Sequence, residues 1–250
     1  WRDGLALSPD HPELKREAEK YQALAFWLDP GKRDANADAR SKAFDNLDVD
    51  FMAGDGEWVC STRLPLLSPS ECSAIINEAE EKASAAVAAA AGGGGGGGGS
   101  GGWGTSRHYA VPTTDVAVRE LPRTLAWFNR AMRTRIGPTV AVAAAAGAPT
   151  PPPPALMLRR LRVHDAFVVR YDAAAQRSLP LHTDQGELSL TISLNGTGEY
   201  EGGGTWFEGL GRAVRPEEAG HVVVFPGGRT VHGGREVTRG VRYILAVFLY

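Results

Sequence analysis

From Leu158 onward, apolar and polar positions alternate in short runs bounded by glycines: AFVVRYD, LSLTISLN, GTWFEG, HVVVFPG, TVHGG and VRYILAVFLY. A period of two over such lengths predicts half-buried strands, and several at this spacing predict a β-sandwich or barrel. The first half of the chain keeps a different rhythm. HPELKREAEKYQALAFWL sets Leu14, Ala18, Tyr21, Ala25 and Leu28 at helical spacing behind a proline suited to a first turn, which predicts an amphipathic helix. VCSTRLPLLSPSECSAIINEAEEKA reads as a strand and then a helix, capped by Ser68 or Ser70, with Ile75, Ile76 and Ala79 as its apolar stripe. LPRTLAWFNRAMRTRIG predicts a further helix with Leu125, Phe128 and Met132 near one face. The expected fold is mainly β, with N-terminal helices ahead of an antiparallel β-core.

Two biased tracts interrupt this pattern. In ASAAVAAAAGGGGGGGGSGG, eight consecutive glycines cannot offset the entropy of ordering, so a flexible surface insertion is expected near 83–102. AVAAAAGAPTPPPP ends in a proline run and is expected as a second exposed insertion near 141–154. Neither should carry chemistry. Residues 1–50 form a charged helical N-terminal segment. Its lead-in GLALSPDHPEL resembles the junction between tetratricopeptide repeats, so the segment is read as a helical preface or the end of such an array. After the polar DVDFMAGDGEW, residues 56–250 are expected to form one main domain.

Charge and cysteine content narrow the partners. Lys+Arg number 27 against 29 Asp+Glu, so no polyanion-binding field is implied and nucleic acid is not an expected partner. A hydrophobic share of 43% over 250 residues supplies a real core. No run approaches the ~20 apolar residues that span a bilayer, so no membrane span is expected. Cys60 and Cys72 are too few for a disulfide framework and are expected as two buried free thiols. No charged start followed by an apolar core reads as a signal peptide. The chain opens on Trp1 and reads as a fragment.

The candidate chemistry sits in LPLHTDQGELSLTISLN. His182 and Asp184 are two positions apart in an alternating run, so on one strand they would point to the same spot. His232 follows fifty residues later. Two histidines and one carboxylate with other positions open match the facial triad of Fe(II) oxygenases, although an isolated H-x-D is most often a surface pair. Arg242 shares strand parity with Ile244, Ala246 and Phe248, so its guanidinium would enter an apolar interior and needs an anion there. A salt bridge to Glu236 or another acid would serve. So would a dicarboxylate co-substrate whose far carboxylate pairs with Arg242 while its 2-oxo acid end meets the metal. A zinc hydrolase would use a similar ligand count but expects a general base and no anion-binding arginine. Gly202, Gly203 and Gly204 lack the following Lys-Ser/Thr of a phosphate loop and are read as a tight turn beside the pocket. His11, His108, His164 and His221 are read as structural or exposed. Trp103, Arg107 and Asp115 in WGTSRHYAVPTTD could border a substrate groove, with packing an equal role for Trp103.

Taken together, VVRYDAAAQRSLPLHTDQGELSLTISLN, YEGGGTWFE and HVVVFPGGRTVHGGREVTRGVRYILAVF resemble the catalytic domain of Fe(II)- and 2-oxoglutarate-dependent dioxygenases, in the prolyl 4-hydroxylase and lysyl hydroxylase branch. The resemblance covers residues 163–250 and reaches back, more loosely, to PLLSPSECSAII. It implies a double-stranded β-helix, or jelly roll, with His182, Asp184 and His232 as iron ligands, Arg242 as the 2-oxoglutarate anchor and Tyr171 close to that co-substrate. It also implies Fe(II), 2-oxoglutarate, O2 and ascorbate as cofactors and accessories, with succinate and CO2 as co-products. The expected activity is hydroxylation of a peptidyl proline or lysine. A free amino acid or other small molecule is the alternative substrate, and a catalytically silent jelly-roll binding module is the alternative from another class; any protein partner would dock through the N-terminal helices. Two departures bear on the substrate. Collagen-type prolyl hydroxylases carry Lys where this chain has Arg242, and EGGGT is closer to the lysyl hydroxylase pattern. Ile192 stands where prolyl hydroxylases of the oxygen-sensing type use Tyr.

Overall fold

A computed structural model describes Pro12 and residues 49–54, 57–92, 102–105, 107–108, 111–148 and 153–250. The helix expected within 1–50, its repeat-like lead-in, residues 93–101 of the glycine tract and residues 149–152 of the proline tract lie outside the described residues. In chain order the elements are β1 (Val49–Gly54), β2 (Glu57–Thr62), α1 (Pro69–Gly92), β3 (Asp115–Ala117), α2 (Pro122–Ala131), α3 (Gly137–Gly147), α4 (Pro154–Arg160), β4 (Val163–Asp172), β5 (Leu179–His182), β6 (Leu188–Ser193), β7 (Tyr200–Gly202), β8 (Thr205–Phe207), β9 (Arg212–Val214), β10 (Val222–Phe225), β11 (His232–Gly234) and β12 (Val237–Leu249).

The strands form two antiparallel sheets. The larger runs β1-β2-β10-β6-β12-β4-β3, with β7 also paired to β12; the smaller runs β5-β11-β8-β9. Strand parity sorts the side chains of the larger sheet. On β12, Leu245, Val247 and Leu249 join Ala166 and Val168 of β4 and Leu190 and Ile192 of β6 in a core shared with Phe128, Met132, Ile136 and Val140 of the helical layer. Each such fully buried aliphatic or aromatic side chain contributes ~1.5–3 kcal/mol of transfer free energy. The opposite parity, Ile244 and Ala246 with Phe167, Val169 and Tyr171, forms a second cluster facing the smaller sheet. The cavity described below lies between the two sheets.

Local chemistry sets the helix ends. Ser68 is the cap of α1: its Oγ accepts from the Glu71 amide at 3.2 Å while Glu71 Oε2 accepts from the Ser68 amide at 2.9 Å, a reciprocal capping box. Between α2 and α3 the chain stays helical but widens into a π-helical turn over Met132–Ile136. Pro138 explains the widening, since it brings no N–H to the ladder and its ring crowds the preceding turn.

Three expectations from the sequence are corrected here. DVDFMAGDGEW is not a bare connector: β1 pairs with β2 in register from Val49 with Thr62 to Gly54 with Glu57, so the sheet begins ahead of residue 56 and ahead of helices α1–α4. The insertion expected near 83–102 starts later, because α1 runs to Gly92; alanine is the strongest helix former and merely propagates a helix already nucleated at its capping box. Four of the alanines expected in an exposed insertion near 141–154 are buried in α3, Ala141 and Ala143 fully and Ala144 and Ala145 nearly so, while Ala146 is exposed. Small side chains let this helix approach closely, and a Cβ added at Gly147 would overlap the Trp58 indole of β2. Cys60 and Cys72 are both buried and free, and burial pushes their thiols up to about 11 and about 12.

Candidate metal and co-substrate site

His182 ends β5 and His232 opens β11, and these two residues face each other across the antiparallel ladder. Their rings lie 4.4 Å apart, centroid to centroid. Asp184 is past the end of β5, so its approach comes from the strand end and the following turn and not from a shared strand face. Its amide donates to the Gly227 carbonyl at 2.9 Å, which fixes the turn. The carboxylate then sits between the imidazoles, with Oδ1 3.4 Å from His182 Nε2 and Oδ2 3.4 Å from His232 Nε2. One ligand atom from each of the three lies within 4.8 Å of the others.

The hydrogen bonds behind these side chains set their protonation. His182 Nδ1 donates to the Pro180 carbonyl at 2.8 Å and His232 Nδ1 to the Thr230 carbonyl at 3.0 Å. A carbonyl only accepts, so in each neutral ring Nε2 is left with its lone pair turned toward Asp184. Burial pulls the His182 pKa down, but the hydrogen bond and charge of Asp184 and the Pro180 carbonyl outweigh it and raise the net value. For His232 burial wins and the pKa falls. Ser189 Oγ donates to Asp184 Oδ2 at 2.5 Å and orients the carboxylate. Three convergent donors with their outer atoms tied back fit a small divalent cation with open coordination positions.

Arg242 is 3% exposed, and its Nε has no hydrogen-bond partner. The salt bridge to Glu236 that would have explained it away does not form, because Glu236 pairs with Arg177 at 2.9 Å. Instead the guanidinium carbon lies 5.4 Å from the centroid of Tyr171, whose phenol burial holds protonated by raising its pKa. The glycine turn makes room for the arginine: Gly202, Gly203 and Gly204 all have positive φ, and a Cβ on Gly203 would stand 3.0 Å from Arg242 Cδ. A buried cation with an orphaned donor fits an incoming carboxylate.

The triad and Tyr171 line one cavity of about 640 Å³, together with Val169, Ile244 and Ala246 from the larger sheet and Thr205 from the smaller. Of the remaining residues singled out in the sequence, Arg107, His108 and His164 also line it, whereas Trp103 is buried and donates to Glu80. Arg107 bridges Asp115 at 2.5 Å and Asp165 at 3.1 Å. Burial opposes the Arg107 charge, but these two carboxylates outweigh it and raise its pKa. Ile192 faces the helical core, and its neighbour Thr191 lines the cavity. Position 192 therefore says nothing about the co-substrate pocket. Sequence reasoning passed over Ser189, although the polar positions of LSLTIS share one strand face. It also missed Asp165 and Arg119, for which only the partner residues across the fold give the signal.

No family model matches the chain. A multifunctional procollagen lysine hydroxylase and glycosyltransferase of Caenorhabditis elegans is 41% identical over 85 residues, 33% of this chain and 12% of that protein. The human procollagen-lysine,2-oxoglutarate 5-dioxygenase 1 is 41% identical over 86 residues, 34% of this chain and 12% of that protein. A Rattus norvegicus lysine hydroxylase and glycosyltransferase is 27% identical over 196 residues, 74% of this chain and 22% of that protein. The chain thus spans 12% to 22% of the length of these relatives. Among solved structures, the viral collagen prolyl hydroxylase of Paramecium bursaria Chlorella virus-1 aligns with a TM-score of 0.44 at 16% identity, over 82% of this chain and 97% of that one. In sequence the chain is similar to procollagen lysine hydroxylases, among them a procollagen-lysine,2-oxoglutarate 5-dioxygenase.

Proposed function

We propose that the protein is an Fe(II)- and 2-oxoglutarate-dependent dioxygenase that hydroxylates a peptidyl proline or lysine, releasing succinate and CO2. One observation carries this reading: a His-Asp-His cluster opens on a cavity that Tyr171 also lines, and against the Tyr171 ring lies a buried arginine, Arg242, without an ion-pair partner among the described residues. A silent binding module has no use for both, and Arg242 is a liability in any fold that does not bring it an anion.

In this reading the two sheets form a double-stranded β-helix. His182, Asp184 and His232 hold the iron, and Arg242 pairs with the far carboxylate of 2-oxoglutarate above Tyr171. Bound iron supplies O2 activation coupled to oxidative decarboxylation of 2-oxoglutarate, with ascorbate as the accessory that keeps it reduced. The chain's own work is positional. Ser189 and the Pro180 and Thr230 carbonyls orient the ligands, and Phe225 packs edge-on against His232 with centroids 4.6 Å apart. Ile244, Ala246, Phe167 and Val169 exclude water from the reacting centre. No protein acid or base is asked to move a proton.

The test is conversion of 2-oxoglutarate to succinate under air with Fe(II) and ascorbate, against proline- and lysine-containing peptides read by mass spectrometry. Succinate with one added oxygen on a peptide is expected, and both should vanish in His182→Ala and His232→Ala. Succinate without a modified peptide would shift the substrate to a small molecule. Absence of 2-oxoglutarate binding and turnover in the wild type would overturn the proposal.

A further inference from the structure

The cavity is larger than a metal and a five-carbon dicarboxylate need, and its spare part has a definite chemistry. Along the floor, β4 and β12 pair in register: Tyr171 with Arg242, Val169 with Ile244, Phe167 with Ala246, Asp165 with Phe248. Six residues separate Tyr171 from Asp165, so the two ends of this floor lie roughly 20 Å apart along the strand. The Arg242 end is the co-substrate end. At the other end Phe248 pairs in turn with Ser189, the residue that holds Asp184. Asp165 is therefore two strands, about 10 Å, across the sheet from Ser189.

Asp165 carries two arginines into that region. Arg107 Nη1 bonds its Oδ2 at 3.1 Å, and the Arg107 guanidinium also lies 4.9 Å from the centroid of Phe167. Arg119, on the 3-10 turn Val118–Glu120 after β3, has Nη1 3.8 Å from Asp165 Oδ1, too far for a hydrogen bond. That contact is its single polar interaction among the described residues, although its side chain is only 21% exposed. Asp165 and Asp184 are the two carboxylates among the described lining residues. Asp165 already serves Arg107 and the Ala166 amide, and Asp184 lies among the histidines. An ammonium entering here would meet arginines and imidazoles and no open acid. A carboxylate would meet the unused N–H fork of Arg119.

We propose that Arg119, seated against Asp165 beside Arg107, forms an anion subsite that reads a carboxylate of the substrate, set apart from the Arg242 end. The inference rests on the proposed function for what it calls substrate. A carboxylate on an acidic residue beside the target, or the α-carboxylate of a free amino acid, would satisfy the same fork.

Binding of probes decides it. Acetylated and amidated peptides with one central proline or lysine, carrying Glu at the neighbouring positions, are compared with the same peptides carrying Gln. Free proline and free lysine are compared with their amides. Equilibrium binding is measured with and without Mn(II) and 2-oxoglutarate under nitrogen. Wild type should favour the carboxylate member of one pair by about tenfold, as one desolvated charge-assisted hydrogen bond would give. The pair that discriminates names the source. Arg119→Gln should reduce the ratio to about one, and Arg119→Lys, which keeps the charge and loses the fork, should restore part of it. A ratio of one in wild type, or an unchanged ratio in Arg119→Gln, overturns the subsite. The 2-oxoglutarate affinity, carried by Arg242, is read in the same samples. Its absence would sink the proposed function, whether or not the carboxylate preference survives.

Discussion

Arg242→Met should move the stability of the free protein and its response to 2-oxoglutarate in opposite directions. In the free protein Arg242 is 3% exposed, with an orphaned Nε and no ion-pair partner among the described residues. An unsatisfied buried polar group costs ~1–3 kcal/mol, and more when charged. The stack on Tyr171 at 5.4 Å returns about 1 kcal/mol. Methionine follows the arginine only as far as Nε, removes the orphaned donor and the charge, and can replace part of the lost stack by a sulfur–aromatic contact of ~0.3–1.5 kcal/mol. The net expectation is a gain of about 1 kcal/mol, which raises Tm by roughly 2–4 °C in a chain of this size. A ligand at a hundred times its Kd stabilises the native state by ~2.7 kcal/mol, so 2-oxoglutarate with Mn(II) under nitrogen should raise the wild-type Tm by roughly 5–11 °C. That ligand shift should be lost in Arg242→Met. The assay is a thermal melt of both proteins with Mn(II), with and without 2-oxoglutarate. A variant that melts lower than wild type without ligand, and still responds fully to 2-oxoglutarate, would refute both the strain and the anchor assigned to this arginine.

Two further expectations follow from the packing. Gly227→Ala would drive a methyl group into Ser189 Oγ and to within 3.1 Å of the Asp184 Cβ; displacing the partner that orients a ligand should weaken Mn(II) or Zn(II) binding by about 10–100-fold, and equal affinity in a metal titration would remove Ser189 from the site. Glu71 bonds Arg135 at 2.6 and 3.0 Å, and that bond chiefly holds its pKa down at about 2, against 4.5 unperturbed. A depressed carboxylate pKa stabilises fully above the unfolded value, so stability should be flat down to about pH 4.5 and fall from there toward pH 2. Glu71→Gln should flatten that slope, read from urea midpoints at pH 7, 4.5 and 3, and an unchanged slope would assign the acid sensitivity elsewhere.

Much of the β-core is legible in the sequence because its strands face two different environments. AFVVRYD and VRYILAVFLY became β4 and β12; Ile244, Ala246 and Phe248 line the cavity, and Arg242, of the same parity, packs on the cavity residue Tyr171. Period-two alternation is a local signal, and a half-buried strand cannot hide it. Where burial is uniform or the strand lies at an edge, the signal fails. β1 is an edge strand with polar positions and an exposed Phe51, and it reads as connector. α3 is apolar all round, so its alanines show no helical stripe and pass for low-complexity filler.

The site divides along the same line. His182, Asp184 and His232 could be picked out by residue type and spacing, but the reason given for the first pair was wrong: β5 stops at His182, and Asp184 is brought in by the Gly227 carbonyl and Ser189. Those two come from positions 5 and 43 residues away in sequence. No periodicity in LPLHTDQGE could have named both. The Arg107–Asp115–Asp165–Arg119 network is harder still, since it joins a loop, β3, β4 and a 3-10 turn that are brought together by the β3–β4 ladder, Asp115 with Val169 to Ala117 with Phe167, and by the Gly104–Asp115 bridge. A charged side chain at such a junction looks like any surface charge until its partners are placed. Arg242 and Arg119 differ in that respect. Arg242 stood out in sequence because strand parity alone condemned it to the interior. Arg119 emerges only once Asp165 is seen to be occupied by Arg107, leaving a largely buried fork whose one polar contact among the described residues is an ion pair with Asp165 at 3.8 Å. Under the proposed function, the locally readable arginine, Arg242, is the one suited to the co-substrate. The one hidden in tertiary contacts is where the specificity of this chain should be sought.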